Sequence, residues 1–177
     1  MEPNNLLRRK PTVKIFYISI CIAFFGNLIP TTKFFPWPDF LAVIFVFWNI
    51  YTPGKVTLFF AWFMGIIMDV YTGAFLGQHA LLYSILCFTT TVFQRRLSWY
   101  TLTNQSINLL PIFSFALLID AIVRYAADGT TAPWWFVFRP VLESITAFFV
   151  GWVMLKIINR RSGSELTARP SKSRIKI

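Results

Sequence analysis

Runs of apolar residues recur six times along this chain, at 15–29, 40–51, 56–71, 76–93, 107–127 and 134–158, parted by breaks too short to hold a domain. A water-soluble domain of this length, 56% hydrophobic and 14% charged, would carry more apolar surface than it could bury, whereas lipid accepts that surface without penalty. In lipid every backbone N–H and C=O must be satisfied within its own segment, so the runs are predicted to be helices. The expected fold is an all-α integral membrane protein. It is a single bundle of about six transmembrane helices over 15–158, between a basic cytoplasmic N-terminus over 1–14 and a basic, disordered cytoplasmic tail over 159–177.

The cations supply the orientation, because cytoplasmic segments keep Lys and Arg while exported ones shed them. With the breaks assigned alternately to two sides, one side collects Arg8, Arg9, Lys10, Lys14, Lys55, Arg95, Arg96, Lys156, Arg160, Arg161, Arg169, Lys172, Arg174 and Lys176. The other has Lys33, Arg124 and Arg139. Fourteen against three predicts both termini in the cytoplasm and an even number of spans. No leader cleavage is expected, since the first run leads into Asn27 and Pro30 rather than a small-residue site.

A net charge of +10 invites a nucleic-acid reading, but a nucleic-acid binder needs aromatics beside its cations for stacking, and here they lie in the spans. The charge is read as setting topology and attracting anionic lipids, with no nucleic acid as partner. Cys21 and Cys87 fall inside apolar runs, as small core or lipid-facing residues.

The second run is short: 12 residues rise about 18 Å against a hydrocarbon core of roughly 30 Å, so it must be extended or only partly embedded. Before it, Phe34-Phe35-Pro36-Trp37-Pro38 cannot be regular helix, and its aromatics suit the outer interface, as do Trp134 and Trp135. Small residues at i, i+4 let helices approach in lipid, and Ala61 with Gly65, Ala80 with Ser84, and Ala147 with Gly151 are candidate contacts. Pro111 is expected to kink the fifth span.

Ionisable groups inside spans are costly and need partners or a wet cavity. Asp69, Asp120, Arg124, Arg139 and Glu143 all converge, on this topology, on the outer part of the bundle, and Gln78 and His79 join the same layer. Asp69 sits near the C-terminal end of its helix, which disfavours a negative charge, so it is expected to pair across helices with Arg139 or Arg124. Asp120 with Arg124 and Arg139 with Glu143 are spaced i, i+4 and can pair along one face. Three readings of the layer stay open: a network that fixes helix register, a contact surface for a partner protein, or a small-molecule pocket. His79 alone reads as an ordinary interfacial side chain.

Enzyme chemistry finds no support in these residues. Zinc hydrolysis needs clustered ligands and the chain has one His. There is no G-x-S-x-G elbow, and Gly73-Ala74-Phe75-Leu76-Gly77 lacks the Lys of a phosphate loop. No metal site and no cofactor are expected.

From Trp37-Pro38-Asp39-Phe40 to Leu97 the chain resembles the bacterial rod-shape-determining MreD family. The likeness lies in Phe47-Trp48-Asn49-Ile50-Tyr51-Thr52-Pro53, in Met64-Gly65-x-x-x-Asp69, in the turn Thr72-Gly73-Ala74-Phe75-Leu76-Gly77-Gln78-His79-Ala80, and in Phe138-Arg139-Pro140 with Glu143 following. One departure is Tyr51-Thr52-Pro53-Gly54-Lys55, where many relatives carry a His after the proline. The resemblance implies a non-enzymatic inner-membrane subunit of the cell-wall elongation complex, in the bacterial cytoplasmic membrane. Its partners would be an MreC-like protein, actin-like MreB, and the glycosyltransferase and transpeptidase pair that builds the wall. The alternative is a substrate-binding membrane subunit of a vitamin transporter, which would require the polar layer to enclose a cavity.

Overall fold

The structure is a computed structural model and describes residues 13–29, 37–129 and 134–167. The described residues form six α-helices and no strand: α1 (Val13–Asn27), α2 (Phe40–Tyr51), α3 (Leu58–Thr72), α4 (Gln78–Leu97), α5 (Leu102–Asp128) and α6 (Arg139–Thr167), with a 3-10 turn (Trp134–Phe138) leading into α6. Each apolar run becomes one helix. Lys33, Phe34, Phe35 and Pro36 lie outside the described residues.

The ends differ from expectation where polar residues can still be helical. α4 continues past Phe93 to Leu97, because Arg95 and Arg96 suit the negative end of a helix dipole. α5 starts at Leu102, ahead of the apolar run, and its polar first turns bond inward: Ser106 Oγ donates to the Leu102 carbonyl at 3.0 Å. Pro111 sits within this single helix. α6 carries Pro140 in its first turn, where no intrahelical N–H bond is lost, and runs on to Thr167. Helix therefore occupies 159–167, where a disordered tail was expected, since adding a residue to an existing helix is far cheaper than starting one. Residues 168–177 lie outside the described part.

The short second helix is the hub. Every residue from Leu41 to Ile50 is buried, packed by α1, α4 and α6. A helix apolar all round is one buried all round, and that explains why α2 shows no polar face. Trp48 is fully buried and donates Nε1–H to Ser19 Oγ on α1 at 2.9 Å. Phe45 meets Tyr83 of α4 and Phe60 of α3 edge-on, with ring centroids 5.5 and 6.0 Å apart.

α3 and α4 share the most extensive contact, and α5 packs on both α4 and α6. Ala61 and Ala80 are fully buried there, and a β-carbon on Gly65 would overlap the backbone of His79 and Ala80. The Ala61–Gly65 and Ala80–Ser84 spacings thus mark one close crossing. Gly151 is less confined: a β-carbon would sit 3.4 Å from Leu102 Cδ2.

The outer surface is apolar. Ile18 and Ile22 of α1, Phe59 and Val70 of α3, Ile107 and Leu118 of α5, and Phe149 of α6 are all exposed. Residues 102–127 and 136–159 are long and apolar enough to cross a membrane, and only 33% of each apolar window is buried, unlike the core helix of a soluble protein.

Candidate functional site

Alternating helix directions bring the N-terminal ends of α2, α4 and α6 together with the C-terminal ends of α1, α3 and α5, and the buried polar residues gather at that end. Asp39 anchors the layer. As N-cap of α2 its Oδ1 accepts from the Leu41 and Ala42 amides, each at 3.0 Å, and from Asn27 Nδ2 of α1 at 2.6 Å. Its Oδ2 accepts from Tyr83 Oη of α4 at 2.7 Å and lies 3.9 Å from Arg139 Nη2 of α6. One carboxylate therefore ties four helices. Arg139 also reaches Glu143, Nε to Oε1 at 3.1 Å, and Glu143 is only 2% exposed.

A second group joins α4 to α5. Gln78 Nε2 donates to Asp120 Oδ1 at 2.8 Å, and Arg124 Nη2 lies 3.8 Å from Asp120 Oδ2. Phe136, from the 3-10 turn, stands between the two arginines, with its ring centroid 6.0 Å from Arg124 and 5.8 Å from Arg139. The two i, i+4 pairs expected along α5 and α6 are both present.

Asp69 is a correction. Its partner is neither Arg139 nor Arg124 but the start of α4. Oδ2 accepts from the amides of Gly77 at 2.8 Å and Ala80 at 3.4 Å, and Oδ1 accepts from the His79 amide at 2.7 Å. His79 Nδ1 is 2.8 Å from Oδ1, so the side chain of His79 as well as its amide bonds to Asp69. The turn between α3 and α4 folds back on left-handed Gly73 and Gly77, φ 63° and 101°, and this sets the amino end of α4 over the carboxylate. The N-cap Gly77 has no side chain to satisfy that end, so Asp69 does it from the preceding helix.

All seven residues expected in the layer are at this end, yet they form separate contacts: Asp69 with His79, Gln78 with Asp120 and Arg124, and Arg139 with Glu143. Sequence reasoning missed Asp39, Asn27, Tyr83 and Phe136. Asp39 had a readable signal, a single acidic residue directly before an apolar run, the place of an N-cap. Tyr83 and Phe136 had none, because aromatics are common throughout this chain.

Burial decides what the layer can do. Asp39, Asp69, Asp120 and Glu143 are all buried, so none is placed to touch a partner directly. The exposed groups beside them are apolar: Trp134 at 78%, Val137 at 75%, and Phe138, which meets Trp134 edge-on. The Trp135 side chain lies outside the described part. A cleft of about 420 Å³ lies at the opposite end, between α4 and α5, and no residue of the polar layer lines it. Among the described residues no three His, Cys, Asp or Glu side chains converge as a metal site requires.

Carboxylates inside, aromatic and aliphatic side chains outside, and two helices of spanning length together define a membrane-associated helical bundle. Within that class the particular family is set by sequence: residues 9–159 match the model of the family described as rod shape-determining protein MreD. The chain belongs to the MreD family. No curated protein and no solved structure matches it.

Proposed function

We propose that this chain is a multi-pass subunit of the bacterial inner membrane. In this reading it serves the wall-elongation complex without catalysing a reaction and binds an MreC-like partner there, alongside the actin-like filament and the wall-building enzymes. The family match over residues 9–159 carries this reading. The apolar exterior and the 14 to 3 division of cations support a six-span topology with both termini in the cytoplasm. The polar layer then faces outward, rimmed by Trp37, Trp134, Val137 and Phe138. These exposed apolar groups, rather than the buried charges, suit a protein contact. Among the described residues the buried carboxylates are bonded to neighbouring side chains and backbone amides and line neither of the two clefts found, which favours this reading over the transporter alternative.

The test is recovery of an MreC-like protein with the tagged chain from a rod-shaped host, and rounding of the cells when the chain is depleted. Trp134→Glu should lower partner recovery at unchanged membrane abundance. Retention of a small vitamin through purification, with no wall-synthesis partner recovered, would overturn the proposal.

A further inference from the structure

The cleft at the end opposite the polar layer has two kinds of wall. Phe93 of α4 and Pro111 and Phe115 of α5 make it apolar, and Phe93 and Phe115 are exposed where it opens on the bundle exterior. Its rim is polar: Arg96, Tyr100 and Asn108. At about 420 Å³ it falls in the roughly 300–1,000 Å³ range of small-molecule sites. Arg96 donates Nε–H to Tyr100 Oη at 3.3 Å, which orients the guanidinium, and among the described residues neither Nη group makes a further hydrogen bond. Among the described residues no carboxylate pairs with Arg96 or with its neighbour Arg95.

We propose that this cleft binds an anionic phospholipid. The phosphodiester would sit on Arg96 and Tyr100, and an acyl chain would lie along Phe93, Pro111 and Phe115. Charge selects this occupant over the others at hand. The chain's own C-terminal segment carries Arg169, Lys172, Arg174 and Lys176 and is repelled by Arg95 and Arg96. A second copy joined across a two-fold axis at this face would set the same two arginines against themselves. An inner-leaflet lipid brings the opposite charge and an apolar tail in one molecule, and a guanidinium holds phosphate with strong charge-assisted bonds. Placing the site in the inner leaflet rests on the topology proposed above.

The full chain is purified in detergent, stripped of lipid and titrated with phosphatidylglycerol, phosphatidylcholine or inorganic phosphate, with bound species read by native mass spectrometry. Phosphatidylglycerol should be held about tenfold more tightly than phosphatidylcholine. Arg96→Gln should remove that preference, Arg95→Gln should keep it, and Thr89→Trp, which fills the cleft, should weaken retention of both lipids. Equal retention by the wild type and Arg96→Gln overturns the site. So does displacement of lipid by inorganic phosphate at matched concentration, which would make it an anion site only, or a lipid-free dimer that Arg95→Gln strengthens. Labelling of Ser98→Cys in intact cells is read separately: reaction with an impermeant reagent would overturn the inner-leaflet placement and the topology, while the titration still decides the site.

Discussion

At the scale of single residues, a buried carboxylate takes whichever positive group the fold brings within reach, and for Asp69 that is a helix end. Three backbone amides and His79 hold it, and the arginines are occupied elsewhere. Replacing Asp69 by Leu leaves those amides unsatisfied and should cost about 3 kcal/mol or more, read as a lower melting temperature in detergent and lower membrane abundance. The partners decide the rest. Combined with His79→Leu the losses should be clearly non-additive, and combined with Arg139→Leu they should add to within about 0.5 kcal/mol. Coupling of Asp69 to Arg139 would show that the geometry described here is wrong. That pairing was unreadable in the sequence for a plain reason. The charge of Asp69 against its own helix end is local and visible, whereas the approach of the α4 amino end depends on how Gly73 and Gly77 fold the turn.

At the scale of elements, the α3–α4 crossing is close enough to depend on a missing side chain. Gly65→Ala should force the two helices apart and cost about 1–3 kcal/mol or more, because the obstruction is backbone and cannot rotate away. Gly151→Ala, which meets only the tip of Leu102, should leave the melting temperature within a few degrees. Small-residue spacing marked both positions alike, since it carries no information about what lies opposite. Helix existence, by contrast, was fully legible, and α2 was legible to the residue. Asp39 starts it and Pro53-Gly54 follow its end, so local chemistry and apolar pattern agree. What the pattern withheld was its position, because 12 apolar residues read equally as a stunted span or as a buried hub.

For the whole molecule, the distribution of charge makes a directional statement. Reporter fusions active in one compartment should place fusions after Lys55, Arg96 and residue 167 inside, and fusions near Gly73 and Gly129 outside. A C-terminal fusion active outside would remove the six-span topology and the outward placement of the polar layer together. The two ends of the bundle also differ in kind. At the proposed outer end charges are buried and paired, while at the opposite end Lys55 lies 5.7 Å from the ring centroids of Phe16 and Trp48, and Tyr51 Oη donates to Gln105 Oε1 at 3.0 Å.

That Asp39 ties α1, α2, α4 and α6 through one carboxylate also bears on the order of synthesis. Its cation, Arg139, opens α6 and is made after α1 to α5. Until α6 emerges, the carboxylate capping the hub helix keeps its bonds to the Leu41 and Ala42 amides, Asn27 and Tyr83 but has no arginine opposite, a less favourable setting for a buried charge. Arg139 on α6 completes the surroundings of that carboxylate. A fragment of residues 1–133 should be short-lived in the membrane, and co-expression of 134–177 should lengthen its half-life in a pulse-chase measurement, unless Arg139 in the supplied segment is replaced by Leu.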